Sequence, residues 1–92
     1  MAKLFIELDM FNFNQNIILY DGDKDPVFLA RVPVEKVSEI AIGHIDECNI
    51  DEIEIDGNRN FAQRVVSDLQ NDLKTRYSNR NVRIKINGEV LN

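Results

Sequence analysis

The stretch that decides the fold is residues 50–87, IDEIEIDGNRNFAQRVVSDLQNDLKTRYSNRNVRIKIN. Apolar and polar side chains alternate over residues 52–56, within the segment 50–56, and again over residues 82–87, and this period of two predicts a strand in each segment. Between them, apolar residues recur at intervals of three or four, which predicts a helix over residues 58–77. A strand, a helix and a strand in this order favour two parallel strands joined by a right-handed crossover.

Three short apolar segments precede that unit, over residues 3–9, 16–21 and 27–32, and we predict that each forms a strand. Pro33 suits the first position of a helix, and the apolar residues that follow it line one helical face, which predicts a helix over residues 34–48. Gly43 lies within this helix, where we expect a neighbouring backbone to approach closely. The sequence therefore predicts a single α/β domain over residues 1–92, with the order β-β-β-α-β-α-β.

The predicted sheet is mixed and five-stranded, in the order 3-2-1-4-5, because short connections favour antiparallel pairing of the first three strands. Strands covered by helices on both faces are apolar throughout, whereas the last two strands alternate with charged residues. We therefore expect both helices on one face, an open face opposite them, and an unprotected edge on the fifth strand. The predicted protein-interface residues are Phe5, Ile18, Tyr20, Phe28, Arg83 and Lys85.

Composition indicates a soluble globular chain with an uneven distribution of charge. The net charge is −5, yet residues 1–57 hold four basic and thirteen acidic side chains, and residues 58–92 hold seven basic and three acidic ones. This asymmetry fits either neutralisation within one fold or contact with nucleic acid or another copy. No apolar run approaches the roughly 20 residues of a membrane span, so we expect no membrane contact. A single cysteine, Cys48, fits a reducing, cytoplasmic compartment.

Three segments resemble the ribonuclease-H-like superfamily, which includes ribonuclease H, the RuvC-type resolvases and the actin-like ATPases. FIELD at residues 5–9 and NIILYDG at residues 16–22 are similar to its first hairpin, with an acid ending the first strand. IEIDG at residues 53–57 is similar to its fourth strand, which also ends in an acid. The resemblance covers residues 3–87 and implies that fold in a truncated form.

In the nuclease members of that superfamily, acids at these places bind divalent metal. The resemblance therefore implies Asp9, Asp56 and Glu39 as ligands of Mg²⁺ or Mn²⁺, which could activate water for phosphodiester cleavage. As residues that end strands, Asp9 and Asp56 could instead bond to loop backbone. Residues 10–12 lack the glycines of the family, and residues 88–92 are too few for its final helix, which supplies a further acid. The resemblance therefore implies the fold more strongly than the activity.

Basic residues of the second half are candidates for contact with phosphates, and they are Arg59, Arg64, Lys74, Arg76 and Arg80. Helical spacing spreads most of them around the polar side of one helix, and two interleaved acids, Asp68 and Asp72, weaken the patch. The acidic composition also argues against broad, non-specific binding of nucleic acid.

The sequence shows no nucleophile–base pair and no phosphate-binding glycine motif. We predict a small, non-enzymatic interaction module without a cofactor. It would associate with itself as a homo-oligomer, or bind a protein partner, through the open face or an edge strand. The alternative is a nuclease, or a nucleic-acid-processing subunit, that depends on Mg²⁺ or Mn²⁺. A nucleic-acid binder without catalysis is a third possibility.

Overall fold

The computed structural model describes residues 2–9, 14–45, 47–76 and 81–91, with Arg76 described in its backbone alone. In this part of the chain the strands are β1 (Ala2–Glu7), β2 (Asn14–Asp21), β3 (Val27–Pro33), β4 (Ile50–Asp56), β5 (Arg83–Ile86) and β6 (Glu89–Val90). A 3₁₀ turn (Val34–Lys36) leads into helix α1 (Val37–Ile45), and helix α2 (Arg59–Arg76) connects β4 to β5. The predicted element order is thus confirmed, with one short strand added.

The described strands form one mixed sheet of six strands in the order β3-β2-β1-β4-β5-β6. β4 pairs in parallel with β1 and with β5, as the crossover predicts, and the other neighbours are antiparallel. The predicted order of the first five strands is confirmed. β6 is not among the predicted strands because two residues show no period. The sequence feature that indicates β6 is the Asn87-Gly88 pair, because Asn-Gly is typical of a two-residue hairpin turn. In the structure both residues have a positive φ, of 49° and 88°.

The hydrophobic core lies between the sheet and the two helices, which pack on the same face. Buried side chains of the sheet come from alternate positions, and they include Leu4, Ile6, Ile17, Ile53, Ile55, Ile84 and Ile86. The helices contribute Val37, Ala41, Ile42, Ile45, Ala62, Val65, Val66 and Leu69. The one-sided helical layer is therefore confirmed, and every second residue of the central strands faces away from the core.

Helix α1 is shorter than predicted at its carboxyl end. It stops at Ile45, and the amide of Cys48 donates a hydrogen bond of 2.9 Å to the His44 carbonyl in the turn that follows. Asn49 then adopts a φ of 53°, which ends the helical path before β4. The expectation for Gly43 is wrong, because a Cβ built at this glycine would lie within 4 Å of no atom in the described part of the chain.

Helix α2 begins at Arg59, one residue after the predicted start, and Asn58 is its cap. The Asn58 Oδ1 accepts hydrogen bonds from the amides of Asn60 at 3.0 Å and Phe61 at 3.3 Å, which satisfies two donors of the first turn. The predicted apolar stripe is buried at Val65 and Leu69, whereas Phe61 is 37% exposed at the start of the helix. Tyr77, the last residue of the predicted helix, lies outside the described residues.

Candidate functional site

The sheet face that the helices leave uncovered is the candidate site, and we call it the open sheet face. Leu4 and Ile6 point under the helices, so Phe5, which lies between them in β1, points to the other side. Residues that stand opposite one another in the ladder share a face, which extends this assignment across the sheet. The open sheet face consists of Lys3, Phe5, Glu7, Asn16, Ile18, Tyr20, Phe28, Arg31, Glu52, Glu54, Asp56, Arg83 and Lys85.

One half of this face is apolar. Ile18 stands opposite Phe5 on one side and opposite Phe28 on the other. The rings of Phe5 and Tyr20 meet edge to face, with centroids 6.0 Å apart and planes at 78°. Phe28 is 59% exposed and Tyr20 is 37% exposed. The structure therefore brings together the four apolar residues that the sequence singled out, and we call them the apolar half.

The other half of the face is charged and largely neutralised. Lys3 Nζ lies 3.1 Å from Glu54 Oε1, and Lys85 Nζ lies 3.3 Å from Glu52 Oε1. Because these side chains are partly exposed, each pair contributes about 0–1 kcal/mol to stability. Their main effect is to remove net charge from the middle of the face. The apolar half is thus the part of the open sheet face that is free to bury more surface.

Lys3 connects the two halves, although it is not among the predicted interface residues. Its Nζ lies 5.6 Å from the centroid of the Tyr20 ring while it pairs with Glu54. Asn16 also belongs to the face, and its Nδ2 donates a hydrogen bond of 3.0 Å to Glu7 Oε1. The signal for both was available in the sequence, because Lys3 alternates with Leu4 as Asn16 alternates with Ile17.

The expected unprotected edge of the fifth strand is wrong, because β6 covers much of it. Lys85 pairs with Val90 and Ile86 pairs with Glu89 in an antiparallel ladder. The amide of Leu91 also donates a hydrogen bond of 2.9 Å to the carbonyl of Ile84. Arg83 and Lys85 therefore lie on the open sheet face beside a covered edge. The long outer edge of the described sheet is β3.

The three acids of the metal hypothesis lie toward the same end of the sheet. Asp9 follows β1 and Asp56 ends β4, and these neighbouring strands are parallel. Glu39 lies in the first turn of α1, which begins where β3 ends. Lys36 Nζ lies 3.6 Å from the Glu39 carboxylate, and both side chains are well exposed.

The backbone around these acids is tied to its neighbours. Gln15, which is buried, accepts a hydrogen bond from the amide of Asp9 through its Oε1. The amide of Leu8 donates a hydrogen bond of 2.8 Å to the carbonyl of Asp56. Among the described residues, no group of three or more His, Cys, Asp or Glu side chains is arranged to hold a metal ion. A metal site on Asp9, Asp56 and Glu39 stays a prediction.

The basic residues of the nucleic-acid hypothesis belong to the helical layer, away from the open sheet face. Arg59, Arg64 and Lys74 are exposed on α2, and Arg59 lies 4.0 Å from Glu89 of β6. The side chain of Arg76 and the whole of Arg80 lie outside the described residues. The structure therefore places the described members of this set and the apolar half on different sides of the domain.

Cys48 lies in the turn after α1 and packs against the edge of the core. Burial raises the pKa of its thiol, and the carboxylates of Glu47 and Asp21 raise it further, because each disfavours a nearby thiolate. The raised pKa lowers the fraction of thiolate, which is the nucleophilic form of a cysteine.

In the described part of the chain, neither helix combines the length and the apolar character that crossing a bilayer requires. The sequence matches no protein-family model, and comparison with curated proteins also found no match. The open sheet face and its edges are therefore the features of the molecule from which we infer a function.

Proposed function

We propose that this protein is a small, non-enzymatic interaction module that binds a protein partner, or a second copy of itself, through the open sheet face or an edge strand. The observation that carries this proposal is the apolar half, where Phe28 is 59% exposed and Tyr20 is 37% exposed. Aromatic residues are enriched at the centres of protein interfaces, where they bury a large area with few rotatable bonds.

The construction of the sheet supports this proposal. Helices cover the centre of one face, with Leu4, Ile17 and Ile53 fully buried beneath them. The ion pairs of Lys3 with Glu54 and of Lys85 with Glu52 reduce the charge that a partner would have to desolvate. A partner can therefore bury the apolar half without leaving an unpaired charge beneath it.

The size of the face bears on the kind of complex. The five longest strands, about 4.8 Å apart and about 20 Å long on average, present a face with a projected area of roughly 500 Å². A stable interface buries about 800 Å² on each partner. The open sheet face alone thus fits a weak or transient complex, and a tighter complex needs an edge strand as well.

The first experiment measures self-association. Sedimentation velocity is run on the wild-type chain, on the double variant Tyr20→Ser/Phe28→Ser, and on Phe61→Ser. Phe61 is a matched control, because its exposed fraction of 37% equals that of Tyr20 but it lies in the helical layer. Association of the wild type and of Phe61→Ser, but not of the double variant, supports a second copy on the apolar half.

The second experiment tests a different protein as the partner. The same three chains are immobilised and exposed to extract from the cells that produce this protein. A protein retained by the wild type and by Phe61→Ser, but lost with the double variant, supports a partner on the apolar half. If the wild type is a monomer at high micromolar concentration and the three baits retain the same proteins, the apolar half is not an interaction site.

The resemblance to ribonuclease-H-like nucleases supports one alternative, in which Asp9 and Asp56 bind Mg²⁺ or Mn²⁺. Thermal melting with and without millimolar metal tests this alternative on the wild type and on Asp9→Asn. A rise in Tm that Asp9→Asn abolishes would favour the metal site. An unchanged Tm in both chains would remove it, because an ion that binds only the folded state must stabilise that state.

A further inference from the structure

We propose that β3 is the docking edge of this module, and that its occupant is an extended segment of another protein with an apolar centre and a basic residue at each end. This inference rests on the proposed function and narrows it to one edge and one class of partner. The segment would add a strand to the sheet beside β3 and place side chains next to the apolar half.

The backbone of β3 is available for pairing with another chain. This strand spans Val27–Pro33 and lies at the outer edge of the described sheet, where β2 is the only strand that pairs with it. Every second residue of such an edge directs its N–H and C=O groups away from the sheet, so the groups are available to another chain. Val27 and Phe28 are 51% and 59% exposed, so apolar side chains accompany this backbone.

Two prolines limit the length of the β3 edge. Pro26 precedes β3 and Pro33 ends it, and neither proline has an N–H to donate. The pairing surface is therefore limited to residues 27–32, which match a segment of about six residues. The ladder between β2 and β3 also shifts register between Ile17 and Ile18, and such an irregularity increases the local twist. These features favour one short segment over open-ended aggregation.

Acidic side chains lie at both ends of the β3 edge. Asp23 and Asp25 come just before β3, and Glu35 comes just after it. Lys24 Nζ lies 3.6 Å from Asp21 Oδ2, and Lys36 Nζ lies 3.6 Å from Glu39 Oε2. These two lysines therefore already have carboxylate partners. Within the described ranges, no cation forms an ion pair with Asp23, Asp25 or Glu35. An added segment with a basic residue at each end would meet an unpaired carboxylate at both ends of the edge.

The same charges disfavour a second copy on β3. In an antiparallel β3–β3 pair, Asp23 and Asp25 of one copy would lie near Glu35 of the other. In a parallel pair, the acids before β3 would meet their own equivalents. Each copy also carries a net charge of −5, which adds a long-range repulsion. Arg31 is the one cation within β3, so the partner residue opposite it should be neutral or acidic.

The test uses a fluorescein-labelled peptide of nine residues, which we call the basic peptide. It has two Lys residues at each end of a Val-Thr-Val-Thr-Val centre. The first control replaces the four Lys residues by Glu. The second keeps every side chain but methylates alternate backbone nitrogens in the centre, in each of the two possible phases. We expect fluorescence anisotropy to show saturable binding of the basic peptide, at least tenfold weaker binding of the Glu peptide, and weaker binding of the peptide methylated in the phase that faces β3.

Variants of the protein test the charges at the ends of β3. Asp23→Asn/Asp25→Asn/Glu35→Gln removes the three acids beside the edge. Glu47→Gln/Asp51→Asn/Glu89→Gln is the matched control, because it makes the same change in net charge at exposed acids outside the β3 edge. We expect the first triple variant to lose about three- to tenfold in affinity for the basic peptide, and the control to change less than twofold. Equal losses would overturn the proposal, because the effect would then be one of net charge.

Hydrogen exchange locates the bound peptide. We expect protection of amides within residues 27–32 when the basic peptide is present, and no concentration-dependent protection there in the protein alone. Equal binding of both methylated peptides and the parent would overturn the inference, as would protection confined to other strands or protection of β3 by self-association. A partner that needs Tyr20 and Phe28 but leaves the amides of β3 unprotected would retain the proposed function and overturn this docking edge.

Discussion

The side chain of Asn87 and the peptide of Gly57 hold each other at the ends of two parallel strands. The amide of Gly57 donates a hydrogen bond of 3.0 Å to Asn87 Oδ1, and Asn87 Nδ2 donates one of 3.2 Å to the carbonyl of Gly57. The amide of Asn87 also donates a hydrogen bond of 2.9 Å to the carbonyl of Ile55. This arrangement fastens the end of β5 to the end of β4, beside Asp56 and the start of α2.

Gly57 cannot be replaced without cost, and Gly57→Ala tests this. Its φ is 143°, and an added Cβ would lie 2.7 Å from the Cβ of Leu8 and 3.0 Å from the carbonyl oxygen of Leu8. We expect Gly57→Ala to reduce the free energy of unfolding by about 2–4 kcal/mol, because it adds backbone strain and a steric clash. Denaturation in urea measures the change.

Gly22→Ala is the matched control for that prediction. Gly22 also has a positive φ, of 58°, but a Cβ there would meet none of the described residues within 4 Å. We expect this variant to lose about 1 kcal/mol from backbone strain alone. Equal losses in the two variants would show that the contact with Leu8 contributes nothing.

The two helices are also joined by a hydrogen bond that can be tested. Ser38 Oγ of α1 donates a hydrogen bond of 2.7 Å to Asp72 Oδ2 of α2, and Ser38 is buried. We expect Ser38→Ala to destabilise the fold by about 1–2 kcal/mol, because the carboxylate loses a donor in a partly buried setting. Urea denaturation of Ser67→Ala is the control, since Ser67 is exposed on α2 and gains the same helix propensity. A loss no larger than that of Ser67→Ala would contradict the prediction.

The sequence predicts the core of this fold well because the core depends on periodic patterns. Alternation in residues 52–56 and 82–87 predicts both the strands and the open sheet face, and the spacing of Val65 and Leu69 predicts the buried side of α2. These features are predicted correctly even when the first or last residue of an element is misplaced, because a few residues at an end do not change which side is apolar.

The sequence predicts side-chain partners and short elements poorly. The pairing of Ser38 with Asp72 joins residues from different helices, and no period in the sequence indicates it. β6 has two residues, and the hairpin turn at Asn87-Gly88 is its only signal. Strand alternation does not decide which apolar residues belong to the candidate site, because residues 4–6 and 17–20 are apolar without interruption. The identity of β3 as the long outer edge depended on knowing that β6 covers β5.

A substitution at Gly43 should stabilise the fold, unlike the substitutions at Gly57 and Ser38. This glycine lies inside α1, is exposed, and has open space where a side chain would project. We expect Gly43→Ala to raise the free energy of unfolding by about 1 kcal/mol, because alanine restricts the unfolded chain and favours the helix. Thermal and urea denaturation measure the gain. A loss of stability would contradict the prediction. A loss of partner binding with the fold intact would show that Gly43 lies in a partner interface.

The thiol of Cys48 provides a prediction on pH. Because burial and the carboxylates of Glu47 and Asp21 raise its pKa, the folded protein keeps the thiol proton to higher pH than the unfolded chain does. Stability from this group is therefore complete below the unfolded pKa and is lost as the pH rises through the folded pKa. At pH 8 the folded protein should also hold less thiolate than the same chain in urea.

Alkylation by iodoacetamide measures this difference between pH 7 and pH 10. We expect the rate profile of the folded protein to turn upward at a higher pH than that of the chain unfolded in urea, since only the thiolate reacts. Glu47→Gln should shift the folded profile to lower pH, because it removes a carboxylate that disfavours the thiolate. Cys48→Ser should show no labelling, which verifies that the signal comes from the single cysteine of the chain. Identical profiles for the folded and unfolded chains would mean that neither burial nor the neighbouring carboxylates act on this thiol.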